Sequence, residues 1–384
     1  MAETTTDKRK KKRGSARRKL PFFLILAAVL ALVTAAAYRD GTGFDAIRRK
    51  LNYGGAETGQ VRYRYEISPK NRFAALGERL AVLSDVSVCL LDQNGGEVWS
   101  APVNMSNPAM ARGGGRAAAY DVGGTELYVL DESGEALHLT SDISSAFLSA
   151  TLNRKGMLAV TAEKPGLKGS VVVYGAQMQE LFEFNSSQRF LMDAYVTDDG
   201  GYLAAVVLGQ EEGVFVSNVI LYDLTQEVPF ADYDVTGGLV LSVGQTGESL
   251  ATVSDTCLTF ASLGGAVEAV YSYGGNFLRD YDLSGDGFAV LLLNQYQSGN
   301  VGRLVTVDDS GRELGSLDIR QEIREISAAG RYLAVLYTDS LVVYNQDLQV
   351  YASLRGVDDA GGVLMRTDGT ALLFSSDSAK LFLP

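Results

Sequence analysis

Short apolar stretches recur along the chain from residue 61 onward, each beside a turn rich in Gly or Asp. Successive stretches begin roughly 40 residues apart, and this spacing is typical of the blades of a β-propeller. A second set of apolar strands follows each of them, with VCLLD, LYVLD, VVVYG and VILYD as the first members. The eight stretches that define the period are RLAVLS at 79–84, RAAAYDV at 116–122, MLAVTA at 157–162, YLAAVVL at 202–208, SLATVS at 249–254, FAVLLL at 288–293, YLAVLY at 332–337 and TALLFS at 370–375.

The clearest unit is residues 192–234, which we interpret as four strands joined by turns. Both faces of such a four-stranded meander are apolar, so the unit cannot bury itself alone and requires similar neighbours. The four predicted strands are Ala194–Thr197, Tyr202–Leu208, Asn218–Leu224 and Val228–Tyr233.

The ends of the repeat array indicate how the ring closes. The eighth unit lacks a fourth strand, while VRYRYEI at Val61–Ile67 precedes the first unit as an unassigned alternating strand. Pairing this strand with the last unit would remove an exposed sheet edge. We therefore predict an all-β, eight-bladed propeller over residues 61–384, closed by its N-terminal strand. Seven blades is the alternative, because the second unit begins with the Gly-rich stretch ARGGGR at 111–116.

Composition agrees with this fold and excludes one class of partner. Apolar residues make up 46% of the chain, which contains 42 Gly and 7 Pro, as in a β-rich globular protein with many turns. Residues 1–38 contain nine Lys/Arg and two acids, so the totals leave 25 basic and 44 acidic residues, a net charge of −19, for the remainder. An acidic body repels phosphate backbones, and we expect no nucleic-acid binding.

The N-terminal region predicts a membrane anchor. Residues 1–19 form a basic tail, and residues 20–38 are predicted to be a transmembrane helix, in which the 18 residues 20–37 are almost wholly apolar. Eighteen helical residues span ~27 Å, close to the thickness of a bilayer core. The positive-inside rule then predicts a single-pass protein of the cell membrane, with a cytoplasmic tail and an extracellular propeller.

Two alternatives to an uncleaved anchor remain at this point. Ala35, Ala36 and Ala37 satisfy the small-residue rule for cleavage of a signal peptide. Arg17 and Arg18 form part of a twin-arginine signal, although the residues that follow match it poorly.

Residues 39–60 are predicted to be a juxtamembrane linker that contains a short amphipathic helix. Phe44, Ile47 and Leu51 would lie on one face of that helix, beside Arg48 and Lys50. The stretch that follows, NYGGAETGQ, has the composition of a flexible linker.

The residues that usually carry chemistry are sparse. His138 is the only histidine, so neither a histidine-based triad nor a multi-histidine metal site is available. Cys89 and Cys257 lie in strand patterns about four blades apart, which predicts two small buried hydrophobes without a disulfide. We predict no catalytic residues and no cofactor.

One stretch resembles a calcium-binding loop. Asp280, Asp282 and Ser284 occupy the first, third and fifth positions of such a loop, and Asp286 lies beside them. The twelfth position, which requires a bidentate Glu, is Leu291. These four residues are therefore a metal-site candidate, and an ordinary hairpin turn is the alternative interpretation.

Tyrosines recur near the ends of the third strands, where packing between blades is the simplest role. Exposed tyrosines would instead favour a recognition surface. The residues in question are Tyr174, Tyr222, Tyr271 and Tyr344.

Two resemblances to known families follow. The stretch DQNGGEVW at 92–99 resembles a repeat of quinoprotein-like or WD-like propellers, which implies that Trp99 docks between blades. The other units lack this Trp, so no quinone cofactor is expected. The combination of basic tail, single anchor and acidic propeller resembles an uncharacterised family of single-pass, membrane-anchored propellers from Gram-positive bacteria.

The sequence predicts function only in outline. A rigid propeller with plain chemistry and variable turns favours a membrane-anchored, extracytoplasmic scaffold for a protein or an envelope polymer. The alternative is a carbohydrate-binding or carbohydrate-active propeller in which carboxylates converge in the central channel.

Overall fold

The computed structural model describes residue 1 and residues 25–33, 45–235 and 237–384, with the side chains of residues 46–48 left out. The chain divides into two units, Met1–Gly54 and Gly55–Pro384.

In the first unit, residues 25–33 are helical and helix α1 covers Asp45–Asn52. Asp45 lies in the first turn of α1 and Lys50 in the last, an arrangement that favours the helix dipole. A short helix was predicted here, but Phe44 and the side chain of Ile47 lie outside the described residues, as do residues 2–24 and 34–43. Among the described residues, no helix combines the length and the apolar character that crossing a bilayer requires.

The second unit contains eight four-stranded antiparallel sheets, which confirms the eight-bladed propeller. In blades 1 to 4 the strands are Arg72–Leu76 (β2), Arg79–Leu83 (β3), Ser87–Leu91 (β4), Glu97–Pro102 (β5); Pro108–Gly113 (β6), Arg116–Asp121 (β7), Glu126–Asp131 (β8), Gly134–Thr140 (β9); Phe147–Leu152 (β10), Leu158–Ala162 (β11), Ser170–Tyr174 (β12), Glu180–Asn185 (β13); and Phe190–Val196 (β14), Tyr202–Glu211 (β15), Val214–Asp223 (β16), Pro229–Val235 (β17).

The remaining blades follow the same order, and a 3₁₀ helix, Ile143–Ser145, connects blades 2 and 3. In blades 5 to 8 the strands are Val240–Thr246 (β18), Ser249–Ser254 (β19), Cys257–Ala261 (β20), Val267–Ser272 (β21); Phe277–Asp282 (β22), Phe288–Asn294 (β23), Gly302–Asp308 (β24), Glu313–Ile319 (β25); Ile323–Ala329 (β26), Tyr332–Tyr337 (β27), Ser340–Asn345 (β28), Val350–Arg355 (β29); and Gly362–Met365 (β30), Ala371–Phe374 (β31), Ser378–Phe382 (β32), with Val61–Arg64 (β1) as the fourth strand of blade 8.

The N-terminal strand closes the ring, as predicted. β1 pairs antiparallel with β32. On one side of this pair the backbone N–H of Gly59 donates to Leu381 O at 2.8 Å. On the other side Tyr65 N donates to Asp377 O at 3.0 Å. The short strand therefore completes the last sheet with the first residues of the propeller.

Blade 2 decides between eight and seven blades. Its Gly-rich start forms the regular strand β6, which pairs with β7 through Gly113. Gly114 follows with a φ of +56°, and a Cβ there would lie 2.1 Å from the backbone N of Gly156 in the next blade. Only Gly fits this position, because the hairpins of blades 2 and 3 touch through their backbones.

The second strands form the centre of the core. β19, β23 and β27 are buried at every position, and Phe288 and Tyr332 are among the largest fully buried side chains. Each blade packs against two neighbours, so both faces of these strands are covered and the apolar runs are continuous rather than alternating.

The meander order gives the ring two different faces. The hairpins between first and second strands, and the turns between third and fourth strands, share what we call the turn face. The connections between second and third strands, and those that lead into each first strand, share the opposite side, the loop face.

Candidate functional site

The first strands are the innermost strands of the ring, because they contact one another from blade to blade, for example β2 with β6 and β10 with β14. One edge of each first strand pairs with the second strand of its own blade, and the other edge faces the central channel. Backbone N–H and C=O groups on such an edge need other partners.

Side chains of neighbouring first strands supply these partners. The carboxylate of Asp193 in blade 4 accepts a hydrogen bond from Val243 N in blade 5 at 3.1 Å. Glu325 in blade 7 accepts one from Val363 N in blade 8 at 2.7 Å. A hydrogen bond of the same kind joins blades 6 and 7, where Asp282 accepts from Ala328 N at 2.7 Å. These acids form a polar belt, defined by Asp193, Asp280, Asp282 and Glu325, that joins blade 4 to blade 5, blade 6 to blade 7 and blade 7 to blade 8.

Burial disfavours ionisation of Asp193, Asp280 and Glu325. It raises the pKa of Asp193, although hydrogen bonds from Ser149 and Val243 oppose the shift. Burial also raises the pKa of Glu325. Desolvation and then the charge of Asp282 raise the pKa of Asp280 to about 6, against hydrogen bonds from Tyr281 N and Ile326 N.

The Asp280 carboxyl should make stability depend on pH. A folded-state pKa of about 6 lies above the unfolded value, so the folded chain binds more protons and stability falls as pH rises from about 4 to 6. A shift of this size corresponds to at most about 3 kcal/mol. We expect Asp280→Asn, which keeps an acceptor oxygen, to raise the melting temperature near neutral pH and to change little near pH ~4.

The control for this measurement is Glu322→Gln, which changes an exposed carboxylate in the connection before β26. Its melting temperature should follow that of the unchanged chain at both pH values. A destabilised Asp280→Asn protein at neutral pH would contradict the burial argument.

Ion pairs cross the channel near the turn face. Arg112 Nη2 lies 3.3 Å from the Asp282 carboxylate, and these residues belong to blades 2 and 6 on opposite sides of the ring. Arg154 pairs with Asp198 at 3.2 Å and with Asp286 at 3.3 Å. The channel is therefore spanned by side chains at its turn-face end.

The calcium-loop candidate lies at this crossing. Asp280 and Asp282 belong to β22, whereas Ser284 and Asp286 lie in the hairpin that follows it. Asp282 accepts from Ser284 N at 2.7 Å, and Asp286 N donates to Gly330 O at 2.8 Å. Among the residues that the structure describes, no three His, Cys, Asp or Glu residues are grouped to hold a metal ion.

The belt also bears on the carbohydrate alternative. Asp193, Asp282 and Glu325 each hold a backbone donor of the next blade. These three carboxylates therefore have a structural role, because they hold neighbouring blades together. They give no support to the alternative of a carbohydrate-active channel.

The remaining candidates lie away from the channel. His138 is in β9, an outer strand, where its ring stacks on Tyr128 with centroids 4.0 Å apart. Trp99 of blade 1 also contacts the Tyr128 ring, at 5.8 Å between centroids, so this Trp docks between two blades as its motif implies. Cys89 and Cys257 lie in blades 1 and 5 as free thiols, four blades apart as expected.

Tyr222 confirms the packing role, because it is buried against Phe184 of blade 3, with ring centroids 4.6 Å apart. Tyr174, Tyr222 and Tyr344 lie in third strands as predicted. The prediction is wrong for Tyr271, which lies in β21, the outer strand of blade 5, and donates a hydrogen bond to Glu313 of blade 6 at 2.8 Å.

Exposed apolar side chains are distributed unevenly over the propeller. Within its described residues, the large exposed hydrophobic side chains lie either on the loop face or along the outer strands and the turn before β17, with none in the hairpins between first and second strands. Those at the loop face are Ile67, Val86, Val122, Ile143, Phe190, Met192, Val214, Phe215, Leu239, Leu241, Phe277, Tyr296 and Val301.

A β-bulge recurs in the first strands of five blades, and it was not predicted from the sequence. In blades 3 to 7 the first strand carries one extra residue near its loop-face end, between a mostly buried apolar residue and a polar residue that faces the next blade. The motif apolar-x-(Ser/Asp/Glu) in the first strands would have revealed it. The five bulged residues are Leu148, Met192, Leu241, Arg279 and Arg324.

Solved structures of several propellers are similar to this fold. The computationally designed Ika8 protein has a TM-score of 0.60 at 13% identity, covering 85% of this chain and 100% of that chain. BamB from Moraxella catarrhalis has a TM-score of 0.52 at 12% identity, covering 84% and 99%. Dihydro-heme d1 dehydrogenase NirN, in complex with DHE, has a TM-score of 0.51 at 15% identity, covering 76% and 67%. Identities this low show the fold alone.

Sequence comparison gives one further result. The model of a family of unknown function, DUF5711, matches residues 52–351, most of the propeller. No curated protein matches the chain.

Proposed function

The chain belongs to DUF5711, a family of unknown function, and we propose that it is a binding scaffold, anchored in the membrane by its N-terminal segment, that holds a protein partner on the loop face of its extracytoplasmic propeller. The observation that carries this proposal is the concentration of exposed apolar side chains on that face. Exposed apolar side chains that gather on one face of a protein favour an interaction site there.

Blade 4 contributes the most prominent part of this surface. Its second and third strands, Tyr202–Glu211 and Val214–Asp223, each have ten residues. The hairpin between them carries Val214 and Phe215, which are 66% and 62% exposed. Arg189 pairs with Glu211, the last residue before the turn, at 2.6 Å and supports the tip of the hairpin. An aromatic side chain at a supported, exposed tip is typical of an interface anchor.

The first residues of the propeller unit lie on the turn face. Thr58 Oγ1 donates to Leu383 O at 2.9 Å, and the strand that follows, β1, starts at the turn face. The polypeptide therefore enters the ring on the turn face, opposite the apolar loop face.

The membrane anchor in this proposal rests on the sequence. Residues 20–38 are apolar, and the nine Lys/Arg of the preceding tail favour a cytoplasmic N-terminus. This orientation places the propeller outside the cytoplasm, where partners would be secreted or membrane proteins.

Photo-crosslinking in cells tests the proposal. A photoreactive residue at Phe215 or Leu241 of the full chain should capture the same protein, whereas one at Asp347, exposed on the turn face, should not. Phe215→Asp should reduce co-purification of that protein about tenfold or more, because an interface anchor contributes at least ~2 kcal/mol. The chain itself should remain in the membrane fraction after carbonate extraction.

Other outcomes would reject the proposal. If crosslinked adducts formed only at position 347, the binding surface would lie on the turn face. Turnover of a glycan by the purified chain, without a captured protein, would favour the carbohydrate alternative. Release of the chain by carbonate would reject the anchor.

A further inference from the structure

The five bulged residues surround much of the channel at its loop-face end. A β-bulge adds one residue that has no pairing partner and redirects the local side chain. Met192 and Leu241 are 44% and 51% exposed, Leu148 is half-buried, and Arg279 and Arg324 are exposed. The first strands line the channel, so this set, which we call the bulge mouth, lies beside its opening in five consecutive blades of the eight.

The chemistry of the bulge mouth changes from one side to the other. Blades 3, 4 and 5 contribute Leu148, Met192 and Leu241, whereas blades 6 and 7 contribute the two arginines. An apolar half thus adjoins a basic half around a single opening.

The two guanidinium groups are held in place by the next blade. Arg279 Nη2 donates to Ile323 O at 2.6 Å. Arg324 Nη1 donates to Asp358 O at 3.0 Å and also to Ala360 O. Among the described residues no carboxylate lies within 4.0 Å of either group, as it does for Arg112 and Arg154 at the other end of the channel. Each guanidinium keeps further N–H donors for an external acceptor.

The two acids that directly follow the bulged arginines are engaged with backbone groups. Asp280 and Glu325 follow the two bulged arginines, and they accept hydrogen bonds from the backbone of the next blade. Burial raises the pKa of both carboxyl groups, which lowers their average negative charge. Two guanidinium groups without a carboxylate within 4.0 Å among the described residues therefore lie at the opening of a body whose net charge is −19.

We propose that the bulge mouth binds a segment of a partner protein in which an apolar side chain stands next to one or more carboxylates. The apolar residue would contact Met192 and Leu241, and the carboxylates would reach Arg279 and Arg324. This inference rests on the proposed scaffold function and specifies the chemistry of its partner. The chain's own tail is basic and does not complement the mouth.

The same arrangement explains selectivity. A partner that is acidic throughout is repelled by the acidic body, and a purely apolar segment leaves two guanidinium groups without acceptors. Only a segment that carries both features satisfies the two halves together.

Peptide binding to the full chain in detergent tests the inference. The probes are short synthetic peptides that contain Leu between Asp and Glu, with two matched sets in which Lys replaces the acids or Ser replaces Leu. Fluorescence anisotropy should show at least about tenfold tighter binding of the acidic–apolar set than of either matched set. Arg279→Glu with Arg324→Glu should reverse the preference toward the Lys set, and Met192→Ser with Leu241→Ser should weaken all sets that contain Leu.

The matched control is Arg312→Glu with Arg355→Glu, which changes the net charge equally at two exposed arginines outside the mouth. Its peptide preference should equal that of the unchanged chain. A thermal melt of each double variant shows whether it is folded before binding is compared.

Three outcomes would overturn the inference. The three peptide sets could bind with equal affinity. The variant Arg279→Glu with Arg324→Glu could also show the same peptide preference as the control variant Arg312→Glu with Arg355→Glu. Vesicles of phosphatidylcholine with phosphatidylglycerol could bind through Arg279 and Arg324 while no peptide does, which would make the mouth a lipid site. The failure of this inference can be told apart from the failure of the proposed function. If a photoreactive residue at position 215 still captures the partner in the variant Arg279→Glu with Arg324→Glu, the scaffold function is retained and only the chemistry assigned to the bulge mouth is rejected.

Discussion

Replacing Tyr63 by Ala should lower the free energy of unfolding of the propeller by about 3–5 kcal/mol, as for other large buried aromatic residues. Tyr63 is fully buried in the four-residue strand that closes the ring. Its hydroxyl donates to Glu78 O of blade 1 at 2.7 Å, so one side chain joins the completed blade 8 to its neighbour. Urea unfolding of the full chain measures the loss. Hydrogen exchange should also accelerate in β32, because that strand loses a stable partner.

Two control variants separate this effect from a general weakness of the strand. Tyr63→Phe keeps the ring and removes two hydrogen bonds of the hydroxyl, the one donated to Glu78 O and a longer one accepted from Arg366 Nη2 at 3.4 Å, which should cost about 1–2 kcal/mol. Val61→Ala alters a partly exposed residue of the same strand and should change stability by less than about 1 kcal/mol. Equal losses for Tyr63→Ala and Val61→Ala would show that the buried ring does not hold the closure.

Replacing Asp193 by Ala should destabilise the ring by about 3 kcal/mol. Its carboxylate accepts from Ser149 Oγ of blade 3 at 2.5 Å and from Val243 N of blade 5 at 3.1 Å. Alanine removes both acceptors and leaves a buried backbone N–H unpaired, which costs about 1–3 kcal/mol before the lost packing is counted. Urea unfolding monitored by fluorescence measures the change.

Asp193→Asn is the matched variant, because it keeps the size and an acceptor oxygen for Val243 N. Burial already disfavours the ionised form of Asp193 by raising its pKa, so Asn should stay within about 1 kcal/mol of the unchanged chain. A large loss with Asn would mean that the negative charge itself, rather than the acceptor, stabilises the belt.

Part of the fold followed from local patterns. The meander predicted over residues 192–234 is present, although its first strand starts earlier, at Phe190, and its central strands extend to Glu211 and from Val214. These extensions include the exposed hairpin of blade 4. Their residues protrude beyond the ring and have no neighbouring blade, so the burial pattern that marked the rest of the strands is missing there.

The first strands were the least visible in the sequence, and they form most of the candidate site. The bulge at Met192 shifts the alternation of buried and exposed residues within β14, and four other blades repeat this shift. A pattern search for strict period-two alternation does not recognise such a strand. The polar residue after each bulge also resembles a turn residue until its partner in the next blade is known.

By itself, the sequence determined the propeller fold, the closing role of a strand that begins at Val61 and the burial of the second strands, whereas the regular strand β6 of blade 2 settled eight blades over seven. These properties depend on local alternation and on a repeat period, which each unit carries separately. The tertiary structure alone decided which distant residues meet. Arg112 and Asp282 are 170 positions apart, and the bulge mouth collects one residue from each of five blades. Their proximity arises from ring closure, which brings the inner strands of all blades around one axis, and no single repeat contains that information.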